Sequence, residues 1–177
     1  MALAFLLTLP GVPFLYYGDE IGMRYLRVPT KEGGYVRTGS RTPMQWKRGK
    51  NLGFSTCRKN KLYLPVDPSP DAPTVEEQER DPASLLNTVR AVLSLRRQWD
   101  DLKADGAFEV VRGEADGPFV YRRGNLMLAV NPSGRTVSVS ANADAPKILL
   151  RIGEGNWNDG LLTIGAQSFL IGTVSMT

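Results

Sequence analysis

The 177-residue chain contains no histidine and one cysteine. Without imidazole, its own residues cannot form a Ser-His-Asp or Cys-His nucleophile pair, nor a histidine-ligated metal centre. Cys57 alone can close no disulfide within the chain and cannot supply a four-ligand zinc site. No metal and no cofactor are therefore expected. Long apolar runs are also scarce. Met1 to Leu7 is apolar, but no basic residue precedes it, and Pro10, Gly11 and Pro13 interrupt it well short of the about 20 apolar residues that a membrane span requires. No membrane partner is expected, and the unpaired Cys57 together with the lack of an Asn-x-Ser/Thr acceptor leans the expected compartment towards the cytoplasm.

Acidic residues are missing from one stretch. None occurs between Gly33 and Val66, where Arg37, Arg41, Lys47, Arg48, Lys50, Arg58, Lys59 and Lys61 all lie. The overall excess is small, 22 Lys and Arg against 18 Asp and Glu, for a net charge of +4. No nucleic-acid-binding motif accompanies these cations, so they read as a solvated loop and no nucleic-acid partner is expected.

What is present is ample apolar material: 42% of residues, enough to bury a core in one domain or two small ones. Ala2 to Thr8 reads as the end of an apolar helix broken at Pro10-Gly11, and Val12 to Tyr17 as a short buried strand ending at Gly18. From Asp19 to about Glu76 the chain reads as irregular and rich in Gly and Pro, far beyond the about 12 to 15 residues at which structureless loops become uncommon. The clearest helix follows, with Asp81 as N-cap, Pro82 at the first helical position and Leu85, Leu86, Val89, Val92 and Leu93 along one face, stopped by Asp105-Gly106.

Beyond it the pattern changes to short strands. Ala107 to Val111, Phe119 to Arg122, Leu126 to Val130, Thr136 to Ser140, Lys147 to Arg151, Leu161 to Ile164 and Ser168 to Thr173 are candidates. Asp116-Gly117, Arg123-Gly124-Asn125, Asn131-Pro132-Ser133-Gly134 and Asp159-Gly160 supply hairpin turn chemistry between them. Val137 and Val139 alternating with Thr136, Ser138 and Ser140 predict one buried and one wet face. The last third thus reads as an antiparallel β-sandwich.

Three motifs combine. Pro10-Gly11-Val12-Pro13-Phe14-Leu15-Tyr16-Tyr17-Gly18-Asp19-Glu20-Ile21-Gly22-Met23 closely resembles the eighth barrel strand and following loop of the α-amylase family of glycoside hydrolases. Ser40-Arg41-Thr42-Pro43-Met44-Gln45-Trp46, with Gly53-Phe54-Ser55 after it, is similar to the signature of the oligo-1,6-glucosidase, α-glucosidase and trehalose synthase branch. Leu64-Pro65-Val66-Asp67-Pro68 and Asp81-Pro82-Ala83-Ser84-Leu85-Leu86-Asn87 are similar to the linker and last barrel helix of that branch.

This resemblance implies an α+β chain: the last strand and last helix of a (β/α)8 barrel over residues 1–101, including the long loop 19–76, then an antiparallel C-terminal domain over 102–177. It implies a retaining enzyme acting on α-linked gluco-oligosaccharides, with the family's catalytic Asp nucleophile, Glu acid and stabilising Asp in segments that do not occur here. No catalytic residue is therefore assigned, and the isolated chain is expected to be inactive.

Physical chemistry points the same way. Retaining hydrolysis needs two carboxyl groups about 5 to 5.5 Å apart across the sugar. Asp19-Glu20 is the one tempting pair, and neighbours in an extended segment point to opposite faces, so a structural role is expected, with Glu20 bonding loop backbone. Arg41 is the candidate substrate-binding residue, because a planar guanidinium can donate to two sugar hydroxyls and the arginine of this motif in the resembling enzymes helps hold the sugar. Trp46 is expected to anchor the loop rather than meet substrate. Lys47-Arg48 stand where the family usually has an acidic residue, and Tyr63 where a Trp is usual.

Two further expectations follow. An unpaired barrel strand and an exposed Leu/Val helix stripe should make the isolated chain self-associate through Val12 to Tyr17 and the helix face, or leave its N-terminal half partly disordered, unless the missing barrel covers them. The alternatives are a fragment of a trehalose synthase-type isomerase, or a stand-alone sandwich module that binds carbohydrate or protein through Phe108, Phe119, Tyr121, Trp157 and Phe169.

Overall fold

Strand pairing begins where the sequence turns to short β-branched and aromatic runs. The computed structural model describes residues 1–28, 36–140, 147–158 and 160–174. Its strands are β1 (Glu109–Arg112), β2 (Phe119–Arg123), β3 (Leu126–Asn131), β4 (Val137–Ser140), β5 (Lys147–Ile152), β6 (Gly155–Asn158), β7 (Leu161–Ile164) and β8 (Ser168–Thr173). Among the described residues they pair antiparallel as two sheets, in the orders β1-β2-β3-β8-β5 and β4-β7-β6. Val120, Met127, Ala129 and Leu170 of the first sheet share one core with Val139, Trp157, Leu162 and Ile164 of the second. The Val/Ser alternation of β4 behaves as expected: Val139 is buried while Ser138 and Ser140 face water. Strand β6 was not expected, because Gly155, Asn156 and Asn158 are poor strand formers and only Trp157 turns inward. Asp159, of the expected Asp159-Gly160 turn, lies outside the described residues, as do 29–35 of the long loop.

By proximity the chain divides into two units, Met1–Pro13 with Val89–Thr177, and Phe14–Thr88. In the first, helix α1 (Ala2–Thr8) joins the sandwich. The Phe5 ring meets Phe119 and Tyr121 edge-on, with centroids 5.8 and 5.7 Å away. The Thr8 and Tyr121 hydroxyls lie 2.5 Å apart, and burial pushes the Tyr121 phenol up. Tyr121, Trp157 and Phe169 are at most 1% exposed, so they fill the core and form no exposed aromatic row.

The end of α1 is held by two arginines. Arg123, at 0% exposure, donates to the carbonyls of Thr8 (2.5 Å), Lys103 (2.6 Å) and Ala107 (2.9 Å). Arg96 donates to Leu7, Leu9 and Gly11. Cations at a helix C-terminus meet its unpaired carbonyls and the negative end of its dipole. Burial lowers the pKa of both guanidiniums, and for Arg123 the charge of Arg96 adds to it. The β2–β3 turn depends on Gly124 (φ +53°), where a Cβ would sit 2.1 Å from Asp101 Oδ1.

Two expectations fail between residues 12 and 80. Val12 to Tyr17 is not a buried strand: it pairs with nothing among the described residues, and Val12 and Phe14 are 73% and 87% exposed. A strand exists through the ladder it forms, and the strand-forming residues beyond 108 are engaged with one another. Residues 75–80, read as the end of the irregular stretch and the run-up to the helix, form α2 (Val75–Arg80), capped by Thr74, whose hydroxyl accepts from Glu77 N and donates to the Glu77 carboxylate.

Helix α3 (Leu85–Gln98) starts later than expected and ends well before Asp105-Gly106. Ser84, not Asp81, caps it, accepting from Asn87 N at 3.2 Å, while Asp81 accepts from Ala83 N in the preceding turn. Its apolar stripe is not exposed: Leu86 packs with Ile21 and Met44, and Val89 and Val92 are 4% and 1% exposed. No helix of the described residues is long and apolar enough to cross a membrane.

Candidate functional site

The loop residues singled out by their motifs converge on one cavity of 510 Å³ in the second unit. Its walls are Tyr17, Trp46, Phe54 and Tyr63, with Met44, Pro43 and Leu64 between them and Arg41 and Glu20 as the charged lining. An apolar pocket with a few convergent polar groups suits an amphiphilic small molecule, whose apolar faces stack on rings while its polar edge finds a donor and an acceptor.

Each wall has a local cause. Tyr17 leads into the 3-10 turn Asp19–Ile21, and its hydroxyl donates to Thr42 O at 3.1 Å. Partial burial pushes its phenol up; neighbouring Tyr16 adds to this and the Arg41 charge opposes it. Asp19 and Glu20 are not in an extended segment, as expected, but in this turn. Asp19 Oδ2 accepts from Tyr16 N at 3.0 Å, and Glu20 Oε2 from Gly18 N at 2.7 Å. Each carboxylate thus closes its own loop, the role read for Glu20 from the sequence.

Arg41 is exposed, lines the cavity, and shows no side-chain hydrogen bond or ion pair among the described residues. Its fork is available to a ligand.

Trp46 does not take the anchoring role expected of it. Gln45 is the anchor: it is 1% exposed, and its Nε2 donates to Pro73 O at 2.8 Å. Trp46 is 50% exposed and forms a cavity wall. Val75 N and Glu76 N, at the start of α2, bond the carbonyls of Gln45 and Trp46 and tie this segment to that helix. Arg48 turns away to Glu77 and Pro70 O. Phe54 and Tyr63 were not assigned to the site from the sequence; only the folding of the loop brings them to Trp46.

The turn before Phe54 is strained. Asn51 and Leu52 both have φ +51°, and Leu52, without a polar group to bond locally, carries a cost of about 1–2 kcal/mol there. No group of three or more His, Cys, Asp or Glu among the described residues could hold a metal ion.

Comparison with known proteins agrees with the motifs. A family model for the alpha amylase catalytic domain matches residues 1–105. The trehalose synthase/amylase TreS of Mycobacterium tuberculosis is 40% identical over 146 residues, covering 75% of this chain and 23% of that protein. A probable oligo-1,6-glucosidase 2 of Bacillus subtilis is 34% identical over 163 residues, covering 74% and 28%. Among solved structures, the trehalulose synthase MutB of Pseudomonas mesoacidophila superposes with a TM-score of 0.83 at 20% identity, over 98% of this chain and 37% of that one. An isomaltulose synthase mutant from Erwinia rhapontici gives 0.83 at 20% identity, over 99% and 37%. These two share its fold. The chain spans about a quarter of the length of the curated relatives it matches.

Proposed function

The chain belongs to the α-amylase family of glycoside hydrolases, and from that premise we propose that it is the C-terminal part of a retaining α-glucosidase-type enzyme acting on α-linked gluco-oligosaccharides. Residues 1–101 are then the end of the catalytic barrel, with the loop 19–76 shaping one rim of the substrate pocket, and 102–177 the C-terminal domain. One observation carries this reading: Arg41 has no side-chain partner among the described residues and lines a cavity with four aromatic walls, where the Glu20 carboxylate is committed to backbone. That is equipment for holding a sugar. It is not equipment for cutting one, because two carboxyl groups about 5 to 5.5 Å apart are required and Glu20 alone lines the cavity.

The isolated chain therefore binds and does not turn over. Incubated with a nitrophenyl α-glucoside it releases no nitrophenol, whereas titration with maltose perturbs the Trp46 indole. Release of nitrophenol would refute the division of labour, and an unperturbed indole would refute sugar binding. Arg41 donates to sugar hydroxyls, so Arg41→Ala weakens maltose binding while leaving the aromatic walls in place. The exposed Val12 to Tyr17 segment is covered by the rest of the barrel or, in the isolated chain, by a second copy. The unpaired Cys57 suits a cytoplasmic location.

The second reading is a trehalose synthase-type isomerase, favoured by the higher identity to TreS, 40% against 34% for the oligo-1,6-glucosidase. The two differ in whether water or a retained sugar takes the glucosyl group, which water exclusion decides. Maltose given to the full-length enzyme separates them: trehalose as product marks the isomerase, glucose alone the hydrolase.

A further inference from the structure

We propose that the Gly49–Gly53 turn is a positioning device for the cavity's aromatic walls, holding the Trp46 and Phe54 rings in the orientation that receives one pyranose face. This rests on the reading of the cavity as a sugar site. Two consecutive side-chain-bearing residues, Asn51 and Leu52, occupy the left-handed region, where glycine would sit without strain. Such backbone persists only where its surroundings over-determine it.

Here they do. Leu52 is buried against Val66 and Ala72, with Leu62 beside them, and Asn51 Nδ2 donates to Ser55 O at 2.9 Å and Cys57 O at 3.0 Å. The strained pair in turn holds the walls. Leu52 O accepts from Trp46 N (2.9 Å) and Lys47 N (3.2 Å), and Asn51 O accepts from Phe54 N (3.0 Å). Trp46 and Phe54 are each 50% exposed, so their own burial cannot fix them; their backbone must. Neither Asn51 nor Leu52 lines the cavity, so both act through the rings.

Three variants and two readouts test this. Asn51→Asp keeps size and tolerance of the left-handed region but turns both donors into acceptors facing carbonyls. Gly53→Ala, at φ +75°, places a methyl 2.8 Å from Lys47 Cγ and 3.3 Å from Trp46 Cβ. Gly49→Ala, at φ +115° with no atom within 4 Å, strains the same turn without pressing on Trp46. The readouts are the Trp46 indole N–H resonance, assigned with Trp46→Phe, and the Kd for maltose.

Asn51→Asp and Gly53→Ala are expected to shift or broaden the Trp46 resonance, leave that of Trp157 unchanged, and raise the Kd about tenfold, as small misplacements of binding groups do. Gly49→Ala, which strains the turn without pressing on a ring, should move both readouts in the same direction. An unmoved Trp46 resonance in both Asn51→Asp and Gly49→Ala would overturn the proposal. If the unmodified chain binds no maltose, the sugar reading fails, and the indole comparison alone still decides whether the turn positions the rings.

Discussion

Replacing Arg123 by Met should measurably destabilise the sandwich. The side chain is fully buried, and three carbonyls, of Thr8, Lys103 and Ala107, take its protons at 2.5 to 2.9 Å. Methionine fills most of the volume and donates nothing. Only the Thr8 bond is fully buried, and Lys103 O keeps Gly106 N as a second donor, so the acceptor left short costs about 1–3 kcal/mol. The partners are neutral carbonyls, so no uncompensated charge is left behind, and the net loss is about 1–3 kcal/mol. That is a large share of the about 5–15 kcal/mol that holds a domain together. Urea unfolding followed by Trp157 fluorescence, which reports from the sandwich core, should show the midpoint falling with the slope unchanged. Because the partners are neutral carbonyls, added salt should barely alter the difference. Arg123→Lys keeps the charge on one point that cannot span three acceptors, and should recover only part of the loss. A loss below about 1 kcal/mol in Arg123→Met would refute the reasoning, since it would show those carbonyls needed no donor.

Other outcomes follow from the same geometry. Hydrogen bonds from Arg24, and next from Ser69, hold the Asp71 carboxyl down to about 2, from an ordinary 3.8. A depressed pKa means that the Arg24–Asp71 bond contributes fully above pH 3.8 and is lost as pH falls through about 2; a carbon-13 titration of Asp71 should show this midpoint moving back up in Arg24→Gln. Thr74→Ala should destabilise α2 by about 1 kcal/mol, read as faster amide exchange at Glu77 and Gln78 with the sandwich amides unaffected. Light scattering of the isolated chain should show concentration-dependent association, and Phe14→Ser should reduce it; a monodisperse monomer at all concentrations would contradict the expected self-association.

The sheets were legible because alternation and Gly-rich turns are local signals, and α1 because its apolar run ends at Pro10-Gly11. Features set by partners were not. Val12 to Tyr17 has strand composition, yet a strand needs a neighbour, and no local pattern reports whether one exists. The apolar stripe of α3 was read correctly, but its cover, Ile21 and Met44, lies some forty or more residues upstream in a loop without periodicity. Helix α2 is six residues long and mostly charged, so no apolar stripe announces it; the Thr74-x-x-Glu77 capping pair was the available signal. The motif singled out Arg41, which the folded loop places in the cavity lining. Trp46 faces the cavity and Gln45 the interior in a segment tied to α2 by hydrogen bonds from Val75 and Glu76, which no spacing in the sequence encodes.

The grip of Arg96 and Arg123 on the end of α1 makes the first eleven residues a counterweight as well as a helix. Those carbonyls are what two partly desolvated cations face in place of water. A version of the chain starting at Val12 would keep both guanidiniums, each already disfavoured by burial and Arg123 further by its neighbour, and would strip away most of their acceptors. Trimming a seven-residue helix from the sandwich should therefore do more harm than the loss of its apolar contacts alone, and replacing both arginines in the trimmed chain with leucine should restore part of what was lost.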